Sequence, residues 1–93
     1  MEHDFPSGTA TSVTVGSTST EVLAAESGRR YCILVNDSTE EIYIQLGAVA
    51  LMNKGIRLNR RGGALEIAGE RPYRGQITAI CSSGSKNLCV FYA

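Results

Sequence analysis

The sequence predicts an all-β fold: a small antiparallel β-sandwich or jelly-roll-like barrel of about eight short strands, preceded by an extended N-terminal arm. Three observations predict it. From Thr11 onward the chain breaks into short runs rich in β-branched and aromatic residues, punctuated by Gly, Asn, Asp and Ser clusters at intervals usual in all-β domains. Alternation of period two is plain in EEIYIQL, where Ile42, Ile44 and Leu46 fall on one face and Tyr43 and Gln45 on the other. Ninety-three residues with 43% hydrophobic and 19% charged side chains suit a single folded domain, with too little chain for a second core. A domain this small buries only about 60–65% of the surface of its unfolded chain, so help from neighbouring chains is expected.

The elements follow in order. Residues 1–10, MEHDFPSGTA, lack periodicity and contain Pro6 and Gly8; they read as an arm anchored at its middle by Phe5, with the folded domain running from 11 to 93. Strands are expected at 11–15 (TSVTV), 20–24 (TEVLA), 30–36 (RYCILVN), 41–46 (EIYIQL), 55–59 (GIRLN), 64–67 (ALEI), 76–82 (QITAICS) and 87–93 (NLCVFYA). A single helical turn is granted to STEVLAAESGRR, where Ser19 or Thr20 is a capping residue, and AVALMN (48–53) reads as a packed loop. Ile56 and Leu58 share one face of their strand, as do Leu65 and Ile67, so Arg60-Arg61-Gly62-Gly63 reads as the turn of a hairpin whose glycines supply positive φ. The last two strands read as a second hairpin centred on Gly84-Ser85, with Cys81 opposite Cys89. Its two faces, Ile77, Ala79, Cys81, Cys89, Phe91 and Ile80, Leu88, Val90, Tyr92, are then both apolar and both need cover: one from a second sheet, the other from the arm, a long loop or another subunit.

Chemistry is hard to build from these residues. The one histidine, His3, sits in the arm, which argues against Ser-His-Asp or Cys-His nucleophilic catalysis. Cys32, Cys81 and Cys89 are too far apart in sequence for a metal site and lie inside apolar runs, as small buried hydrophobes of a reducing compartment do; a Cys81–Cys89 disulfide is the alternative. Glu40 and Glu41 are adjacent, so on a strand they point to opposite faces and form no carboxylate pair. With no P-loop or dinucleotide fingerprint either, the chain reads as a non-enzyme without a cofactor. No run approaches the ~20 apolar residues of a membrane span, and the start is acidic and polar.

Charge is unevenly placed. Residues 1–45 carry seven acids against two bases, a net −5, and residues 46–93 seven bases against two acids, a net +5. Two readings stand: opposite patches that dock one copy on another, or halves that interleave in a sandwich and mix their charges. Arg57, Arg60, Arg61, Arg71 and Arg74 are close in sequence, but only Tyr73 among them offers a base a ring to stack on, and zero net charge lacks the basic excess of a nucleic-acid binder.

The segments STEVLAAESGRRYCILVNDSTEEIYIQLG, GIRLNRRGGALEI and YRGQITAICSSGSKNLCVFYA, spanning about residues 18–93, resemble small all-β virion structural proteins of tailed bacteriophages, of the capsid decoration (cement) or head-fibre type. The matching features are turn and core residues: Gly28 to Tyr31, Asn36 to Ser38, Ile42 to Ile44 closing at Gly47, Leu58 to Ile67, Tyr73 to Gly75, and Ala79 to Gly84. The resemblance implies a protein bound in many copies to the major capsid protein lattice at the virion surface, self-associating as a trimer or dimer and clamping subunit junctions against the pressure of packed DNA. Related modules serve in tails, fibres and necks, which is the alternative. A carbohydrate-binding sandwich is more remote: with no Trp, only Tyr43 and Tyr73 are expected to be exposed. The residues expected at subunit or capsid contacts are Phe5, Glu40, Glu41, Arg57, Arg60, Arg61, Arg71 and Arg74.

Overall fold

The computed structural model describes residues 8–93. Eight strands form: β1 (Thr9–Val15), β2 (Thr20–Leu23), β3 (Cys32–Asn36), β4 (Ile42–Leu46), β5 (Ile56–Leu58), β6 (Ala64–Ile67), β7 (Ile77–Cys81) and β8 (Lys86–Tyr92). They make two four-stranded sheets, β1-β8-β3-β6 and β2-β7-β4-β5, and every neighbouring pair is antiparallel. Each expected strand is present with its ends moved by two residues or fewer. β1 begins at Thr9, so the last two residues of the expected arm are strand, paired with Tyr92 and Phe91. Phe5 and His3 lie outside the described residues.

The topology is a chain folded in half and rolled up. β1 pairs with β8, β2 with β7, β3 with β6 and β4 with β5, and the roll closes through β3·β8 and β4·β7. Thr9 opposite Tyr92, Glu21 opposite Thr78, Leu34 opposite Leu65 and Ile42 opposite Leu58 are all centred close to residue 50. This is the two-sheet jelly-roll arrangement. Only β4 and β5 are consecutive strands that pair; every other connection crosses between the sheets.

That overturns both expected hairpins except at their strand limits. β5 and β6 lie in different sheets, so Arg60 to Gly63 is a crossover. β7 and β8 also lie in different sheets: Cys81 stands opposite Ile42, and Cys89 opposite Ser12 and Val35. Cys81 and Cys89 therefore do not face each other, and all three cysteines are free thiols. Alternation misled here for a definite reason: it fixes which side of a strand is apolar, and two strands facing one core from opposite sheets show the same alternation as two strands of one hairpin.

The core lies between the sheets. Val15, Cys32, Leu34, Leu88 and Val90 from one meet Val22, Ile42, Ile44, Leu58, Ile77, Ala79 and Cys81 from the other, all buried. β7 is buried along its whole length, so its outer side, Thr78 and Ile80, is covered too. The cover is the β4–β5 loop. Thr78 Oγ1 donates to the Gly47 carbonyl (3.1 Å), and the Ala50 N–H donates to Ser19 Oγ (2.8 Å) just before β2. The loop thus runs back along the outside of β7, inserting Ala50 and leaving Val49 and Leu51 outward at 59% and 54% exposure. No helical turn forms between Ser19 and Arg30; that segment is strand followed by loop.

The charge halves interleave. Because each pairing in both sheets joins a first-half strand to a second-half strand, acids of the first half meet bases of the second: Glu41 with Arg60, Glu40 with Lys86.

Candidate functional site

Since each strand crosses its sheet once, the connections after odd-numbered strands gather at one end of the sandwich and those after even-numbered strands at the other. The first end holds most of the polar order. Fully buried Asn36 closes β3 there: its amide donates to the carbonyls of Glu40 (2.7 Å) and Leu58 (2.9 Å), and its Oδ1 accepts from Ser38 Oγ (2.6 Å). Its backbone N–H donates to the Gly63 carbonyl, and its own carbonyl accepts from the Gly62 N–H. One side chain thereby ties the β3–β4 connection to the β5–β6 crossover. The crossover is a tight turn with Arg61 at φ 59° and Gly62 at φ 114°, closed by the Gly63 N–H donating to the Asn59 carbonyl (3.0 Å).

Around this hub sit Glu40, Glu41, Arg60 and Arg61. Arg60 Nε donates to Glu41 at 2.8 Å, and that bond holds the Glu41 carboxyl below its usual range. Glu40 accepts from the hydroxyls of Ser82 (2.7 Å) and Ser83 (3.0 Å), with Lys86 at 3.8 Å; these partners lower its carboxyl as well. Three of the expected contact residues are therefore engaged within the chain. Arg61 is exposed at the rim of a hollow of about 470 Å³ floored by Val35, Asn36 and Cys89. Arg57 is exposed on β5 opposite Tyr43.

Arg71 and Arg74 belong to the opposite end and do not join that group. Arg74 Nε donates to the Arg29 carbonyl (2.8 Å). Arg29 itself, which is not among the residues expected at contacts, is 3% exposed. Its guanidinium donates to the carbonyls of Ala24 (3.0 Å), Tyr73 (3.3 Å) and Gly75 (2.8 Å), pinning two long connections together. Its Nε is buried without a partner among the described residues. Nothing in a Gly-Arg-Arg-Tyr string distinguishes the buried arginine from the exposed one.

The outer face of the β1-β8-β3-β6 sheet carries an apolar stretch outside the core. Two cross-strand rows build it: Ala10, Phe91, Ile33, Glu66 and Ser12, Cys89, Val35, Ala64. Ile33, Val35, Cys89 and Phe91 are half-buried, and a hollow of about 270 Å³ lies among them. It shares Val35 and Cys89 with the Arg61 hollow, so the two adjoin to mark a groove along this face, and Asp37, which accepts from the Asn87 amide, lines it beside Arg61. Tyr31 frames the far side, its ring edge-on to Phe91 at 6.2 Å and its hydroxyl donating to Glu66 at 2.7 Å; that bond pushes the phenol above its ordinary range.

The two tyrosines expected to be exposed are less so than expected. Tyr43 and Tyr73 are both half-buried, Tyr73 packs on the core, and its hydroxyl donates to the Gln76 carbonyl (2.8 Å). Burial pushes the Cys32 and Cys81 thiols upward, away from the reactive thiolate. No group of three or more His, Cys, Asp or Glu side chains is placed to hold a metal among the described residues. No protein-family model, curated protein or solved structure matches the chain.

Proposed function

We propose that this protein is a structural component of a tailed-phage virion, a capsid decoration protein that binds the major capsid protein lattice through the outer face of the β1-β8-β3-β6 sheet and stabilises the head. The observation that carries the reading is that apolar groove: Ile33, Val35, Cys89 and Phe91 side by side, with Arg61 at its rim. Soluble domains normally keep one face of an antiparallel sheet wet and polar, and contiguous apolar surface marks a binding site. The resemblance in the turn and core residues supplies the lattice as the partner, and the jelly roll is a fold that capsid components use; since one fold serves many functions, the groove rather than the fold carries the argument.

The test is location, copy number and loss of binding. Particle reconstructions should place hundreds of copies on the head, and Val35→Glu should release the protein from capsids while leaving its own melting transition in place. A count of a dozen or fewer at the neck or tail would shift the reading to a tail, fibre or adaptor module. Decorated capsids that resist heat and low salt no better than bare ones would remove the stabilising role.

A further inference from the structure

We propose that β1 is a self-pairing edge, and that two copies of the chain join through antiparallel β1–β1 contact across a two-fold axis. The inference concerns how copies join each other, and it holds whatever lattice they bind.

An exposed strand edge offers unpaired N–H and C=O groups to any other strand, and proteins blunt such edges with charge, proline, bulges or brevity. Three of the four edges here are blunted. β2 has four residues, Glu21 and a register shift between Glu21 and Leu23. β5 has three residues and carries Arg57, and β6 has four and carries Glu66. β1 has none of these devices. It runs seven residues, TATSVTV, without a charge or a proline, and its register with β8 is unbroken from Thr9 opposite Tyr92 to Val15 opposite Lys86. Its first four residues are exposed, and among the described residues it pairs with β8 alone.

The strand also matches itself. In an antiparallel pair centred on Ser12, Thr11 stands opposite the second copy's Val13 and Ala10 opposite its Thr14; Val15 is fully buried, its carbonyl accepting from the Cys81 thiol, so the open edge ends at Thr14. Side-chain parity is kept: Thr9, Thr11, Val13 and Val15 share the core side, as the burial of Val15 and the packing of Val13 on the core show, and Ala10, Ser12 and Thr14 share the outer side. Each core-side pair joins β-branched residues and each outer pair joins small ones, a favourable cross-strand set with no like charges opposed. Such a contact is isologous and closes at two copies. It covers half-buried Val13 and makes one continuous eight-stranded sheet, with the two apolar grooves on the same outer face, one either side of the seam.

Sedimentation equilibrium of the full chain over rising concentration tests this. The expected result is a monomer–dimer equilibrium for the native sequence, and monomer for Ser12→Lys and Ser12→Glu taken singly, since each places two like charges at the seam. An equimolar mixture of the two variants should dimerise again, because opposite charges then meet. Ser12 is exposed, so circular dichroism should show both variants folded; should one fail to fold, the doubles Ala10→Lys/Thr14→Lys and Ala10→Glu/Thr14→Glu take its place, since 10 of one copy faces 14 of the other and both residues are exposed. Native protein that stays monomeric, a trimer, dimers indifferent to both charges, or a mixture that fails to pair would each overturn the proposal.

Discussion

At the scale of single residues, Asn36 and Glu40 organise one end of the sandwich by opposite means. Asn36 is out of water and spends both amide hydrogens on carbonyls, one in the β3–β4 connection and one at the end of β5. Asn36→Ala leaves those carbonyls unsatisfied and should cost about 2–3 kcal/mol, read as a drop in urea midpoint at unchanged slope. Asn36→Asp should cost more at neutral pH, since it sets a carboxylate against the same two carbonyls, and should recover part of the loss as acid protonates it. Glu40 works through its charge. Its partners depress its carboxyl in the folded state, so the stability it contributes is complete above the ordinary carboxylate value of about 4.3 and is lost as pH falls through the folded-state value. Urea midpoints should therefore favour the native chain over Glu40→Gln at pH 7, with the two curves converging in acid. Neither role was legible in sequence. Asn36-Asp37-Ser38 reads as a turn, correctly, but that Asn36 also receives the Leu58 carbonyl depends on a strand partner twenty-two residues away.

At the scale of elements, all eight strands were legible as short β-branched and aromatic runs between turn residues, with alternation marking half-covered β4 but not β7, which is buried on both sides. What patterning omits is the sheet to which a strand belongs, and so both adjacent pairs that looked like hairpins are crossovers. NRRGGALEI shows the difference. Its glycines are required, but by the crossover: a Cβ on Gly63 would come within 2.4 Å of Asn59 N and 2.5 Å of Asn59 O, both backbone atoms that cannot step aside. Gly63→Ala should destabilise by about 3 kcal/mol, whereas Gly84→Ala, in the β7–β8 connection with nothing within 4 Å, should leave the melting temperature almost unchanged. The expectation that the arginines of this segment reach a neighbouring subunit meets a simpler local fact: Arg60 is bonded to Glu41 of its own chain, and Arg61 remains outward at the groove.

At the scale of the whole molecule, the halves of the chain are woven strand by strand, and two acid–base pairs, Glu41 with Arg60 and Glu40 with Lys86, join the acidic half to the basic one. The same weave sets the order of assembly. Closing the β4–β5 loop involves nine residues and closing β1 on β8 about seventy, a difference of roughly three doublings or about 2 kcal/mol of closure entropy. Folding should start at the midpoint and zip outward, so Leu58→Ala should give a clearly higher φ-value than Val90→Ala in stopped-flow experiments, with slow kinetics for so small a domain. One property of the pairing reaches further. Since no strand of the first half hydrogen-bonds another of the first half, neither half holds a sheet of its own. A chain cut between exposed Asn53 and Lys54 should yield two pieces that are each unstructured, yet recover the β-sheet circular dichroism signal when mixed, with a melting point that rises with concentration. The jelly roll would then behave as a two-component fastener, whose fragments report by complementation whether whatever they are fused to has met.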